Sequence, residues 1–198
     1  MNGRFTETEQ AIAAELHESI EAKQATLDRE LSVLARIAET VVDALAAGGK
    51  LLIFGNGGSA ADSQHIAAEL VSRFRRERRA LPAIALTTDT SILTAIGNDY
   101  GFEDVFARQV EALGRPGDVV LAISTSGNSP NVLKAVRRAA ELEMKTIGFT
   151  GDDGGKLRQC VDLCFRVPSL ATPHIQEVHI AAGHAVCEVV ESRFAVRS

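Results

Sequence analysis

The stretch Leu51-Leu52-Ile53-Phe54-Gly55-Asn56-Gly57-Gly58-Ser59 decides the fold. Four consecutive apolar residues fit a strand buried on both faces, and the glycines after them open a tight turn into a helical segment beginning near Ala60. Strand, glycine-rich turn and helix form the first part of a βα unit. The alternation recurs downstream. Apolar runs at Ala83-Ile84-Ala85-Leu86, Val119-Val120-Leu121-Ala122-Ile123, Thr146-Ile147-Gly148-Phe149 and Leu163-Cys164-Phe165-Arg166-Val167 bring the strand count to five. Helical stretches are expected at about 60 to 74, 103 to 113 and 130 to 141, with a short one near Lys156 and a long closing helix from about Pro173 to Phe194. The fold class is therefore α/β, a three-layer αβα sandwich on a five-stranded, mostly parallel, flavodoxin-like sheet, with helical additions at both ends.

Length and composition fit that reading. The chain has 198 residues, 45% of them hydrophobic and 24% charged, which suits one globular domain over 1–198. Twenty-one Lys and Arg stand against 26 Asp and Glu, a formal net charge of -5 that counts against nucleic-acid binding through phosphate neutralisation. The three cysteines, Cys160, Cys164 and Cys187, form no CxxC pair and read as reduced thiols of a cytoplasmic protein. The opening MNGRFTETEQ is polar, and no run reaches the ~18 apolar residues of a membrane span, so neither export nor a membrane partner is expected.

Within the domain, 1–49 reads as N-terminal oligomerisation helices and 50–198 as the α/β core. From Leu27 the positions Leu31, Leu34, Ala38, Val41 and Leu45 draw one stripe down a single helix that Gly48-Gly49 ends. Ile12, Leu16 and Ile20 mark a separate, earlier helix. Two amphipathic helices ahead of any strand can bury both faces only by packing across the later sheet or against another chain, which hints at oligomerisation.

The first turn offers backbone N–H groups and the positive end of a helix dipole to an anion, with Ser59 and Asp62 spaced as a capping box. It is neither GxGxxG nor a P-loop, since no Lys follows the glycines. A tight turn that binds nothing remains the alternative. A second strand-to-helix turn, Ser124-Thr125-Ser126-Gly127-Asn128-Ser129-Pro130, carries four hydroxyls, and Pro130 fits the first helical position with Ser129 as its cap. Hydroxyls and amides around a helix N-terminus suit a phosphate monoester without adding positive charge.

His65 and Glu69 lie four apart on one helix face, and Gln176, Ile180 and His184 follow one ridge of the closing helix. A His and a Glu from one helix, with a Gln and a His from another, form a donor set suited to Zn²⁺. On spacing alone, surface or capping roles remain open for each histidine. His179, among Val178, Ile180 and Ala181, reads as a packed histidine as readily as a ligand.

Four separated segments also carry a resemblance: GNGGSAADSQHIAAEL from Gly55, TAIGNDYGF from Thr94, STSGNSPN from Ser124 and IQEVHIAAGH from Ile175. In this order, over about Leu51 to Glu191, they resemble the phosphoheptose isomerases, the sedoheptulose 7-phosphate isomerase branch of the sugar isomerase (SIS) domain family. The resemblance implies conversion of sedoheptulose 7-phosphate to D-glycero-D-manno-heptose 7-phosphate, the first step toward a nucleotide-activated heptose for lipopolysaccharide or other surface glycans. It further implies a cytoplasmic homotetramer with active sites at subunit interfaces and one Zn²⁺ per subunit. Its metal ligands would be His65, Glu69, Gln176 and His184. Its substrate contacts would be Asn56, Gly57, Gly58, Glu69, Arg73, Asn98, Asp99, Ser124, Thr125, Ser126, Ser129 and Gln176. Some relatives carry an Asp just before the IQE motif, where this chain has Thr172-Pro173-His174.

Moving a proton between C1 and C2 of a sugar through an enediol needs an acid–base pair, and Glu69 and His184 are the expected one; spacing does not say which is the base. The alternative is a non-catalytic member of the family resembling the factor that associates with the bacterial replication initiator. That relative lacks the Glu and the last-helix His, both present here. A sugar-phosphate-sensing regulator is disfavoured because no helix-turn-helix segment is visible. The run Arg75-Arg76-Glu77-Arg78-Arg79 reads as a solvated loop with no aromatic residue for base stacking, and Cys160 and Cys164 as small buried hydrophobes.

Overall fold

A computed structural model of the chain describes residues 6–195, so the polar opening up to Phe5 lies outside the described residues. Five parallel strands run in the order β2-β1-β3-β4-β5: β1 (Leu51–Gly55), β2 (Ala83–Ala85), β3 (Val119–Ile123), β4 (Lys145–Thr150) and β5 (Leu163–Arg166). Leu51 pairs with Ala83 on one side and with Val119 on the other, and every pairing is parallel. The doubly wound order 2-1-3-4-5 reverses direction at β1, which opens a crevice beyond the carboxyl ends of β1 and β3. All five residues of β1 and of β3 are buried, as their unbroken apolar runs require of strands covered on both faces.

One face of the sheet carries α2 (Leu31–Ala46), α3 (Gly58–Val71) and α7 (Thr172–Phe194), whose Ile37, Val41, Leu45, Ile66, Leu70, Val178 and Val190 join Ile53, Leu121 and Phe149 in one core. The other face carries α5 (Ala107–Leu113) and α6 (Pro130–Glu141), with Val110, Val132 and Val136 against Leu52, Phe54 and Val120. Pro130 occupies the first turn of α6, as expected.

Three expectations need correction. The helix expected from Leu27 onward is split, with Leu27 belonging to α1 (Glu7–Arg29) and the break falling at Glu30, φ -119° and ψ 1°. The cause is tertiary: Glu30 is buried, and its carboxylate sits 3.4 Å from Arg166 of β5, which no local pattern encodes. An unanticipated helix, α4 (Thr90–Asp99), follows β2; Asp89 caps it by accepting the Ile92 N–H at 2.9 Å. The helix expected over 103–113 is instead a 3₁₀ turn at Phe102–Asp104 followed by α5. Ile12, Leu16, Ile20, Leu27 and Leu31 all remain more than half exposed along α1 and the start of α2.

His179 is fully buried, with its ring centroid 5.6 Å from Phe149 and 6.2 Å from Phe165. Its Nε2 donates to the Thr150 carbonyl at 3.1 Å, which leaves Nδ1 as a bare, unpartnered acceptor and fixes the neutral tautomer. It is a packed histidine. Burial pushes its pKa down to about 4, the Thr150 hydrogen bond opposing this only in part. Below the unfolded value near 6.5 the unfolded chain takes up a proton that the folded one refuses, so stability falls as pH drops from 6.5 toward 4. Between pH 7 and pH 5 the expected loss is about 2 kcal/mol. Denaturant unfolding of His179→Leu at both pH values should show that part of the loss removed; parallel losses in the two proteins would refute it.

Candidate active site

The turn after β1 is built on α3. Its N-cap is Gly57, not Ser59, so the expected capping box does not form; Ser59 lies buried inside the first turn, donating its N–H to the Asn56 carbonyl at 3.0 Å. Asp62 has one carboxylate oxygen buried without a hydrogen-bond partner. Burial pushes its carboxyl up, with neighbouring His65 pulling back.

The Asn56 side chain is engaged within the protein. Its Nδ2 donates to Asn131 Oδ1 and its Oδ1 accepts from Asn131 Nδ2, both at 2.9 Å. This reciprocal amide pair ties the first turn to the N-terminus of α6, and Asn131 also accepts the Val132 N–H at 2.9 Å. Sequence reasoning passed over Asn131, whose one signal was a second Asn in the first turn of the second helix. The second turn closes on itself through Ser124 Oγ and Ser129 Oγ at 3.0 Å. Ser129 is the N-cap residue as expected, but its hydroxyl faces Ser124 instead of a helix N–H. Ser124 is buried, Thr125 and Ser129 are partly so, and Ser126 with Gly57 and Gly58 is exposed. The two glycine and hydroxyl turns thus lie side by side at the reversal point of the sheet.

Across α3 and α7, His65, Glu69 and His184 come together, with one ligand atom from each lying within 4.8 Å of the others. His184 Nε2 is 2.9 Å from His65 Nε2, and His65 Nε2 is 3.2 Å from Glu69 Oε1. Three lone-pair donors converging on one point need a proton or a cation among them, and two imidazoles with one carboxylate suit Zn²⁺ with a position left open. Gln176, two turns earlier on the same ridge, lies over the glycine turn: a methyl group built on Gly58 would sit 2.5 Å from its Nε2. The chemistry of His65, Glu69 and His184 fits such a metal, whereas the Gln176 amide is placed here by its approach to Gly58.

Phe74, just beyond α3, stacks against the His184 ring with centroids 5.5 Å apart and planes inclined by 28°. Nothing in the sequence marked it. The remaining candidates are paired with near neighbours: exposed Arg73, beyond the end of α3, with Glu77 four residues on, while Asn98 donates to Asp99 Oδ1 at 2.7 Å at the end of α4. The arginine run is only partly the solvated loop expected, because the Arg78 side chain is fully buried beside Glu191 of α7. Cys187 is buried, whereas Cys160 and Cys164 are only partly so. Among the described residues no helix is long and apolar enough to cross a membrane.

The SIS domain family profile matches residues 15–151. The phosphoheptose isomerase of Roseiflexus sp. (strain RS-1) is 62% identical over 180 residues, 91% of each chain. Among solved structures, a phosphoheptose isomerase from Neisseria gonorrhoeae superposes with TM-score 0.88 at 49% identity, covering 92% of this chain and 98% of that one. One from Francisella tularensis gives 0.91 at 42%, covering 94% and 100%. The chain belongs to the SIS domain family and, within it, to the phosphoheptose isomerases.

Proposed function

We propose that this sugar-phosphate isomerase converts D-sedoheptulose 7-phosphate to D-glycero-D-manno-heptose 7-phosphate, at a site made by α3, α7 and the turns after β1 and β3. The observation that carries the reading is the convergence of His65, Glu69 and His184 between α3 and α7, a place for chemistry two to three turns along the same α3 whose N-terminus offers a place for an anion. The phosphate anchors on the backbone of Gly57 and Gly58 and on the hydroxyls of Ser124, Thr125, Ser126 and Ser129, where helix dipoles favour negative charge. Asn98, Asp99 and Arg73 complete the substrate contacts.

With the phosphate held, C1 and C2 of the ketose face the three-residue cluster. Glu69 and His184 then move the proton from C1 to C2, while the C1 hydroxyl gives up its proton and the C2 oxygen gains one, an acid–base role worth ~10² to 10⁴-fold. His65, Glu69, Gln176 and His184 would hold Zn²⁺, whose contribution when bound is Lewis acidity toward the sugar oxygens. The more than half-exposed stripe of Ile12, Leu16, Ile20, Leu27 and Leu31 supports assembly through the N-terminal helices into a cytoplasmic homotetramer with sites completed between subunits. The product would feed nucleotide-activated heptose synthesis.

Purified protein incubated with sedoheptulose 7-phosphate should yield the aldose, and Glu69→Gln and His184→Gln should each lower kcat by ~10²-fold or more with circular dichroism unchanged. Near-native turnover by either variant would falsify the assignment. For Ser124→Ala a raised KM at nearly constant kcat is expected, since the phosphate does not react; a fall in kcat alone would count against an anchoring role. Removing Asn131 as Asn131→Ala strands the Asn56 amide, so a stability loss of about 1–3 kcal/mol should accompany a raised KM. An unaltered KM would show that the amide pair does not set the phosphate cradle. Exhaustive chelation should abolish activity and Zn²⁺ should restore it; full activity in metal-free protein would remove the metal from the scheme.

A further inference from the structure

The segment after α3 returns to α7 and is gripped there by one carboxylate. Glu191 lies seven residues beyond His184 on the same ridge of α7, with Glu188 between them. Its side chain is fully buried and accepts three consecutive backbone N–H groups, from Phe74 at 2.8 Å, Arg75 at 2.7 Å and Arg76 at 2.9 Å. The buried Arg78 Nε stands 3.4 Å from it, while the same guanidinium donates to the carbonyls of Glu69 at 2.7 Å and Ser72 at 3.1 Å, closing the end of α3. Burial pushes the Glu191 carboxyl up, but the three N–H donors and Arg78 together outweigh it and hold the group below its ordinary value, ionised.

Three successive N–H groups on one anion leave the backbone at 74–76 little freedom, and that backbone decides where the Phe74 ring lies. It lies against His184, with the Arg75 guanidinium 4.9 Å over it. The contact matters because His184 has one productive orientation, with Nε2 toward His65 and Glu69. Rotation of the imidazole about its stem would carry Nε2 out of the cluster, and the flat face of Phe74 blocks that rotation.

We propose that Glu191 is a positioning residue for the His184 ring, acting through the backbone of 74–76 and the Phe74 side chain. Its consequence for turnover rests on the isomerase reading above; the positioning itself does not. The test compares Glu191→Gln, Phe74→Leu and Phe74→Tyr with the native protein, by histidine-selective NMR and by initial rates on sedoheptulose 7-phosphate. Stacking on Phe74 shields the His184 ring protons, whose signals are assigned by their loss in His184→Gln. In Glu191→Gln and Phe74→Leu these signals should move downfield while those of His174 and His179 stay in place; Phe74→Tyr, which keeps the ring, should leave them unmoved. kcat should fall about 10- to 10²-fold in the first two, the scale of a misplaced catalytic group, with KM little changed, and Phe74→Tyr should restore it. A folded Glu191→Gln protein with unmoved His184 signals, or one in which KM rises while kcat holds, would overturn the proposal. Should Glu191→Gln not fold, Phe74→Leu decides by the same signature. If the native protein does not turn over this sugar, the functional reading fails and the NMR shifts alone decide the positioning.

Discussion

The site depends on how closely α3 and α7 can approach. Two glycines permit it, one at each end of the contact. A methyl group on Gly58 would lie 2.5 Å from Gln176 Nε2, and one on Gly183 would lie 2.7 Å from Ile66 Cδ1. With only hydrogen at these positions the two helices close on each other, and His184, next to Gly183, meets His65 and Glu69 across the gap. The sheet fixes where the two helices begin, since α3 leaves β1 and α7 follows β5. Packing of Ile66, Leu70, Val178 and Val190 into one core then fixes their distance.

The reversal of strand order at β1 supplies the second half of the arrangement. Because β2 and β3 flank β1 on opposite sides, the connections after β1 and β3 leave to opposite faces and their first turns diverge. The Asn56–Asn131 amide pair holds those turns together across the opening. For a chain of net charge -5, the proposed cradle would draw its field for an anionic sugar from helix ends and hydroxyls and not from the protein's total charge.

Most of the fold was legible because its determinants are local. Strands β1 and β3 are unbroken apolar runs ended by Gly55 and Ser124, and β3 and α6 fall where the pattern put them. What escaped has a tertiary cause. Nothing around Glu30 announces a helix break, because the partner of that carboxylate is Arg166 on the last strand. Helix α4 buries no residue completely, so its apolar stripe is thin, and only Asp89 signalled its start. In the candidate site, the HxxxE spacing and the Gln176–Ile180–His184 ridge were readable as helix faces, and the structure brings those faces together. Asn131, Phe74 and Glu191 were not readable. An Asn in a first turn, a Phe after a helix and a Glu within one are ordinary until their partners 75, 110 and 117 residues away are known.

The grip of Glu191 on the backbone at 74–76 also changes what the arginine run is to a protease. Arg75, Arg76, Arg78 and Arg79 offer four cleavage points to an enzyme of tryptic specificity, yet such an enzyme must draw the segment out into an extended strand. Here three N–H groups are bound to a buried carboxylate and the Arg78 side chain is wholly enclosed. Cutting therefore waits for the segment to lift from α7, and where lifting and reclosing are fast, the nicking rate of the native protein reports the free energy of that local opening.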